Sequence, residues 1–198
     1  MSFRYVIGMA VLLGAGVAQA ADKPIVGDAS AGAAKAATCG ACHGADGNPA
    51  MSQYPKLAGQ GEAYTARQVE LMKSGKRQNA VMMGFIANMS AQDMHDIGAF
   101  YATKTSLPGV ADTKLVDRGQ ALYSGGSADT RTPACMACHG PDGRGNPGAV
   151  YPQIGGQYAD YTAVKLKAFR DGQGFSDDEH GKIMTSVAKP LTDADIAA

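Results

Sequence analysis

The sequence predicts an all-α protein built from two tandem domains of similar structure. Apolar residues in its longer segments recur at helical spacing, and no segment of useful length alternates between apolar and polar residues. The stretch that starts at Cys42 aligns with the stretch that starts at Cys138, and the offset changes from 96 to 97 along the alignment. Two copies are too few for a solenoid, in which several stacked repeats share one core. Each copy is therefore expected to fold as its own domain.

The composition supports two small domains without a large aromatic core. The chain has 198 residues, of which 18 are acidic, 18 are basic and none is tryptophan. This balanced charge provides neither the basic field typical of nucleic-acid binding nor an acidic tail. Domains of this size and composition have thin hydrophobic cores, so a non-protein group is expected to fill part of each interior.

Residues 1–20 are predicted to be a signal peptide. An early arginine, an apolar run at 6–17 and small residues at 18–20 match the regions of a secretory signal. A helix over the apolar run would rise only about 18 Å, short of the roughly 30 Å of bilayer hydrocarbon, so a retained membrane anchor is the weaker alternative. With cleavage near Ala20, the mature chain begins at Ala21 in the periplasm, where free thiols oxidise.

The N-terminal domain is predicted to span 21–103 and the C-terminal domain 115–198. Between them, 104–114 contains a Pro-Gly pair among polar residues, which is typical of a linker. The second copy ends three residues after Asp195, where the first copy continues through a full helix. The last helix of the C-terminal domain is therefore expected to be truncated, and its missing part would pack near 115–123.

Within each copy the pattern predicts helices joined by glycine-rich loops. In the first copy, an alanine-rich helix begins after Asp28, whose carboxylate suits an N-cap. A longer helix carries Tyr64 and apolar residues at helical spacing and closes at Gly75. A third helix begins at the cap Ser90, with Asp93 in its first turn and apolar residues on one face.

All four cysteines and two of the four histidines lie in two Cys-x-x-Cys-His clusters. A zinc site typically uses two separated ligand pairs, a thioredoxin-type pair needs a βαβ context, and a structural disulfide explains neither the histidine nor the duplication. Covalent haem c accounts for every residue, because the thiols add to the haem vinyl groups and the histidine ligates the iron. The predicted attachment residues are Cys39, Cys42, Cys135 and Cys138, with His43 and His139 as axial ligands.

Each iron then needs a second axial ligand or an open position. Met184 is the only methionine after His139, and it lies eight residues before the cap of the last helix. The same offset in the first copy selects Met82, with Met83 as the chief rival. Histidine with methionine closes the iron and raises its reduction potential relative to two histidines, which favours electron transfer over catalysis.

Other polar residues leave two interpretations open. Pro55 and Pro152 are placed to offer the carbonyl that orients a proximal histidine, or they only stiffen turns. Two repeated pairs either hydrogen-bond haem propionates or cap a small core. These pairs are Tyr64 with Tyr161 and Gln60 with Gln157. Of the remaining histidines, His95 is expected on the polar side of its helix and His180 in a solvated loop.

From about Gly27 to Ala198 the chain resembles cytochrome c4, a family of di-haem proteins made of two class I cytochrome c domains in tandem. The resemblance is carried by CGACHGADGN, YPKLAGQGEAYTARQ, TPACMACHGPDGRGN and YPQIGGQYADYTA, and by two Met-x7-Ser/Thr-x2-Asp segments. It implies one covalent haem c wrapped in each domain. By position, it places the haem ligands on the cysteines, histidines and methionines selected above.

The resemblance also implies a function. Members of this family pass single electrons from a quinol–cytochrome c reductase to a haem–copper terminal oxidase, docking transiently in the periplasm, with peripheral membrane association. Two alternatives come from other classes: a catalytic di-haem cytochrome, such as a peroxidase or a thiosulfate-oxidising enzyme, and a haem subunit of a larger respiratory complex. Because a methionine is placed to close each iron, the prediction is an electron carrier and not an enzyme.

Overall fold

The computed structural model describes Met1, 23–175 and 178–198, so the predicted signal peptide lies, apart from Met1, outside the described residues. The described part is helical, with isolated bridges but no strand, which confirms the all-α prediction. None of its helices combines the length and the hydropathy that crossing a bilayer requires. The helices are α1 (Ala29–Lys35), α2 (Gly40–His43), α3 (Glu62–Lys73), α4 (Ala80–Ile86), α5 (Ala91–Ala102), α6 (Val116–Gly125), α7 (Met136–His139), α8 (Ala159–Arg170), α9 (Glu179–Ala188) and α10 (Asp193–Ala197), with a 3-10 turn at Pro147–Ala149.

In the first half, α1 and α3 pack against α5 around the fully buried side chain of Tyr101. Asp28 caps α1 as predicted, since its carboxylate accepts hydrogen bonds from two amides of the first turn. The crossing of α1 and α5 depends on Gly32, because a Cβ atom there would lie 1.9 Å from the carbonyl oxygen of Asp96. The first half is therefore held by a close helix crossing that admits no side chain.

In the second half, α8 packs against α9 and α10 around a small apolar core. Its buried members are Phe169, Ala188, Leu191 and Ile196. Helix α6 meets α10 at Gly119, where a Cβ atom would lie 2.3 Å from the carbonyl oxygen of Ala198. The two halves thus repeat the same kind of glycine crossing, although α10 spans five residues and its counterpart α5 spans twelve.

Two capping boxes set the register of the repeated helices. Helix α5 is capped by Ser90 and α10 by Thr192, and each cap side chain accepts a hydrogen bond from the amide three residues later. The aspartates at those positions, Asp93 and Asp195, accept in return from the cap amides. The structure therefore confirms the two caps from which the candidate methionine ligands were counted.

Two glutamines join the halves by a reciprocal set of four hydrogen bonds. The side chain of Gln60 pairs with the main chain of Gln153, at 3.0 Å in both directions. The side chain of Gln157 pairs in the same way with the main chain of Lys56, at 3.0 and 3.1 Å. Because Gln60 aligns with Gln157 and Lys56 with Gln153, the contact has approximate twofold symmetry. The repeated glutamines are thus engaged by the main chain of the opposite half.

Lys56 also fastens the segment that connects the halves. Its ammonium group donates to the carbonyl oxygens of Leu107 and Gly156, at 2.7 Å each. The residue is only 6% exposed, and burial lowers its pKa. The connecting segment, 103–115, contains no helix, and the amide of Leu107 donates to the side chain of Asn48 at 2.9 Å. The boundaries of the predicted linker stay a prediction.

Candidate haem sites

Each Cys-x-x-Cys-His cluster forms a single helical turn. The amide of the histidine donates to the carbonyl of the first cysteine, at 2.9 Å for His43 and 3.0 Å for His139. All four cysteines are half-buried with free thiols, and burial raises the pKa of Cys39 and Cys135. Each turn therefore presents two thiols and an imidazole on one short segment, as covalent haem attachment requires.

Two of the three competing interpretations of the clusters, zinc and a structural disulfide, find no support in the described residues. Across 23–175 and 178–198, no group of three or more histidine, cysteine, aspartate or glutamate side chains is placed to hold a metal ion. The same residues contain no disulfide, since all four cysteines are free. Zinc and a structural disulfide are therefore both disfavoured, and the clusters are best explained by a group that takes the thiols and the imidazole together.

Each histidine of a cluster is buried and oriented by a proline carbonyl. His43 is 8% exposed and His139 is 7% exposed. The Nδ1 atom of each ring lies 2.9 Å from a carbonyl oxygen, that of Pro55 for His43 and that of Pro152 for His139. Because a carbonyl only accepts, Nδ1 carries the proton, and Nε2 is the atom left to bind a metal. The carbonyl role predicted for the two prolines is confirmed.

Burial has a second effect on these rings. It lowers the pKa of His43 and His139, and the proline carbonyls only partly oppose it. Both imidazoles are therefore neutral near pH 7, which is the form that ligates iron. Two further residues that sequence reasoning did not single out stand beside the rings: Tyr54, 6.2 Å from His43, and Tyr151, 6.3 Å from His139, between ring centres. The Tyr-Pro pair that occurs in both copies is the sequence signal that could have identified these two tyrosines.

The candidate methionines lie on helices that precede the two capping boxes. Met82 is half-buried on α4, and Met184 is half-buried on α9, where it packs against the apolar core of the second half. Met83, the rival of Met82, is 36% exposed. The other interior methionines, Met72 and Met94, are buried in the first half as core residues. Burial thus favours Met82 over Met83, and coordination by Met82 and Met184 stays a prediction.

The remaining two histidines are bonded to groups outside the clusters. His95, on α5, is paired through Nδ1 with the carboxylate of Glu62 at 2.9 Å. His180 was predicted in a solvated loop, and this prediction is wrong. It lies in the first turn of α9, half-buried, where Nε2 donates to the carbonyl of Ala149 at 2.9 Å and the ring packs edge-on to Tyr151. The prediction failed because the contacts of His180 come from a turn far away in sequence. The carbonyl of Ala149 and the ring of Tyr151 pack on this side chain, although its sequence neighbours are charged.

A group of buried donors between the halves lacks partners. Thr65 Oγ1, Gln68 Nε2 and Arg67 Nη1 are inaccessible and make no hydrogen bond within the described residues. Arg77 donates to Gln68 Oε1 at 2.6 Å. Burial, and then the charge of Arg77, lowers the pKa of Lys165. Unpaired buried donors beside cations favour carboxylates, and the haem propionates are carboxylates. The residues present therefore fit a haem.

The repeated tyrosines adjoin this group of donors. Arg77 donates to the hydroxyl of Tyr161 at 3.2 Å, and burial raises the pKa of Tyr64 to about 12. A neutral phenol can donate a hydrogen bond to a carboxylate. Of the two interpretations of the tyrosines, their position beside unpaired donors and cations supports contact with propionates.

The fold and the two sites define a class: a protein of two small helical domains, each with one Cys-x-x-Cys-His turn and a carbonyl-oriented histidine, which is a c-type cytochrome. The family model for cytochrome c matches residues 29–103 and 116–198. Cytochrome c4 of Pseudomonas aeruginosa is 49% identical over 172 residues, which cover 87% of this chain and 85% of the relative. The chain therefore belongs to the cytochrome c4 family.

Two further similarities extend the comparison. The crystal structure of reduced recombinant cytochrome c4 from Pseudomonas stutzeri matches with a TM-score of 0.83 and 42% identity, over 87% of this chain and 95% of that one. A protein of Stutzerimonas stutzeri named thiosulfate dehydrogenase electron acceptor is 32% identical over 96% of this chain and 89% of its own length. The chain is a di-haem electron-transfer cytochrome that carries two covalent haem c groups.

Proposed function

We propose that this chain is a periplasmic one-electron carrier whose two haems are closed by histidine and methionine. One haem is held by Cys39 and Cys42 with His43 and Met82. The other is held by Cys135 and Cys138 with His139 and Met184. The observation that carries the proposal is the repetition, in both halves, of a buried histidine bonded to a proline carbonyl. The proposed domains are 21–103 and 115–198, joined by 104–114 after removal of 1–20.

The residues of the two sites explain how the protein could carry electrons without catalysing a reaction. When bound, haem iron supplies a one-electron couple. The proline carbonyls hold each imidazole in one tautomer and one orientation, which keeps the ligand geometry similar in both oxidation states. A thioether is a soft ligand that favours the ferrous state. A haem iron held by both a histidine and a methionine would offer a substrate no open position.

The surface of α4 supports transient docking at the first haem. Residues 78–92 carry no charged side chain, and Val81 and Phe85, which flank the proposed ligand Met82, are 66% and 52% exposed. An uncharged apolar surface beside a ligand helix suits a short-lived contact with a redox partner. We assign this surface to the membrane respiratory complexes, a quinol–cytochrome c reductase and a haem–copper oxidase.

A second donor class has specific support. The relative named as an electron acceptor of thiosulfate dehydrogenase is similar over almost the whole chain. A thiosulfate dehydrogenase is therefore a second candidate donor. This relative's name describes an acceptor, which agrees with carriage and not with catalysis by the chain itself.

Optical spectra combined with a potentiometric titration test the proposal. The expected result is two haems per chain, two one-electron steps, and no binding of carbon monoxide or hydrogen peroxide at neutral pH. Ready binding of either ligand would show an open iron and contradict the carrier assignment. Turnover of peroxide or thiosulfate by the purified protein would identify it as an enzyme.

A further inference from the structure

One ion pair crosses from the first half to the helix that carries Met184. Arg67, on α3, donates through Nη2 to Oδ1 of Asp178, which is the N-cap of α9. The other carboxylate oxygen, Oδ2, accepts the amide of Gly181 at 3.1 Å. The two side chains are only 23% and 13% exposed. One carboxylate therefore caps α9 and binds the opposite half at the same time.

Within 23–175 and 178–198, the first half shows no counterpart of this contact. In the repeat, Arg67 aligns with Val164, which is 59% exposed and carries no charge. Helix α4 is capped by Asn79, whose side chain accepts the amide of Met82 at 3.1 Å. The cap of α4 thus comes from a neutral residue of its own half. Arg77, two residues before this cap, contacts the opposite half through Tyr161, so the difference between the two ligand helices lies in the cap itself.

The position of Asp178 makes this contact relevant to the ligand. It caps the helix that carries Met184, six residues before the methionine. A partly buried ion pair is costly to break from one side, because the remaining charge is left without its partner in a poorly solvated place. An N-cap also sets the direction in which its helix starts. Loss of Arg67 would therefore loosen the first turn of α9 and, with it, the support of the methionine.

We propose that Arg67 is a positioning residue for Met184, so that methionine ligation of the second haem depends on an ion pair with the first domain, whereas the helix of the first ligand is capped from within its own domain. The inference rests on the proposed assignment of Met184 as an axial ligand. It goes beyond that assignment because it gives the interface between the domains a role in holding the methionine ligand of the second haem.

The test compares Arg67→Gln and Asp178→Asn in the holoprotein. Asparagine is as good an N-cap as aspartate, so Asp178→Asn removes the ion pair and keeps the cap. The readout is the near-infrared charge-transfer band of iron-bound methionine, followed on heating, together with both midpoint potentials. Met184→Ala first identifies the half of the band that belongs to the second haem.

The expected result is that both variants lose the second-haem half of the band at a lower temperature than the parent and lower one midpoint potential, while the first-haem half is unchanged. The double variant should shift no further than either single variant, since both remove one contact. Arg118→Gln is the control, because it breaks an arginine–aspartate pair at α10 within the second half and should leave the band unchanged.

Three results would overturn the inference: parental behaviour of both variants, equal loss of both halves of the band, or additive shifts in the double variant. Failure of the underlying ligand assignment looks different. In that case Met184→Ala itself retains the whole band, whatever the Arg67 variants do.

Discussion

The side chain of Gln60 spans the two halves of the protein by binding both polar groups of the Gln153 main chain. Its Nε2 atom donates to the carbonyl oxygen and its Oε1 atom accepts from the amide, at 3.0 Å each. The side-chain amide thus makes the same pair of hydrogen bonds that a neighbouring β-strand residue would make. Its symmetric counterpart, Gln157 on Lys56, makes the docking of the domains depend on two glutamines.

Substitution of either glutamine should therefore weaken the docked state. We expect Gln60→Ala and Gln157→Ala each to lower the free energy of unfolding by about 1–3 kcal/mol, because partly buried main-chain groups lose their partners. Denaturant unfolding of the holoprotein measures this change. Gln173→Ala, at an exposed position, is the matched control and should stay within about 0.5 kcal/mol of the parent. Equal stability of all three variants would contradict the role given to the glutamines.

The methionine ligands can be tested one at a time. Met82→Ala and Met184→Ala should each remove about half of the near-infrared methionine band, because each takes one thioether from one iron. Each should also lower one midpoint potential and allow carbon monoxide to bind one ferrous haem. Met83→Ala is the control on α4 and should keep the full band. If Met83→Ala lost half of the band and Met82→Ala did not, the ligand of the first haem would be Met83.

The cysteine assignments predict haem content directly. Replacing Cys39 and Cys42 together by serine should leave a single covalent haem per chain, because the second cluster is an independent helical turn with its own thiols. Mass spectrometry of the denatured protein gives the number of attached haems. Retention of two covalent haems would show that the attachment sites are assigned to the wrong residues.

Asp96 should make the stability of the first domain depend on pH in the acidic range. Its carboxylate accepts hydrogen bonds from the amide of Asp28 at 2.8 Å and from Lys35 Nζ at 2.5 Å, and these bonds lower its pKa from the ordinary 3.8 to about 2. Because the pKa in the folded state is the lower one, the stabilisation is fully present above about pH 4 and is lost as the pH falls toward 2.

Asp96→Asn should therefore lower stability at pH 7 and flatten the pH dependence between about 4 and 2. Thermal unfolding followed by far-ultraviolet circular dichroism across that range checks both effects. Asp129→Asn, at an exposed position, should keep the parental profile. An Asp96→Asn protein with an unchanged acid profile would show that another group carries the dependence.

Local signals were sufficient for much of the fold and of the sites. The caps at Ser90 and Thr192 could be predicted because a capping box lies within four residues, and counting back from them selected Met82 and Met184. The proline carbonyls could be predicted because a proline follows each histidine at nearly the same distance, twelve residues in the first copy and thirteen in the second. The Cys-x-x-Cys-His turns are likewise contained in five residues each. In all these cases the physical interaction joins residues that are close in sequence or repeated.

Contacts between the halves could not be predicted in the same way. Arg67 and Asp178 are 111 residues apart, and the glutamines meet main-chain groups 93 and 101 residues away. A residue type alone does not identify such partners, which is why the glutamines were considered for propionates. His180 shows the same limit, since the carbonyl that accepts its hydrogen bond lies 31 residues away.

The ammonium group of Lys56 ties the connecting segment and the second domain to the first at a point that water hardly reaches. Swinging the domains apart would break charge-assisted hydrogen bonds to both the connecting segment and the second domain. We therefore expect the two haem sites to keep a constant separation, so that electron exchange between them requires no movement of the domains.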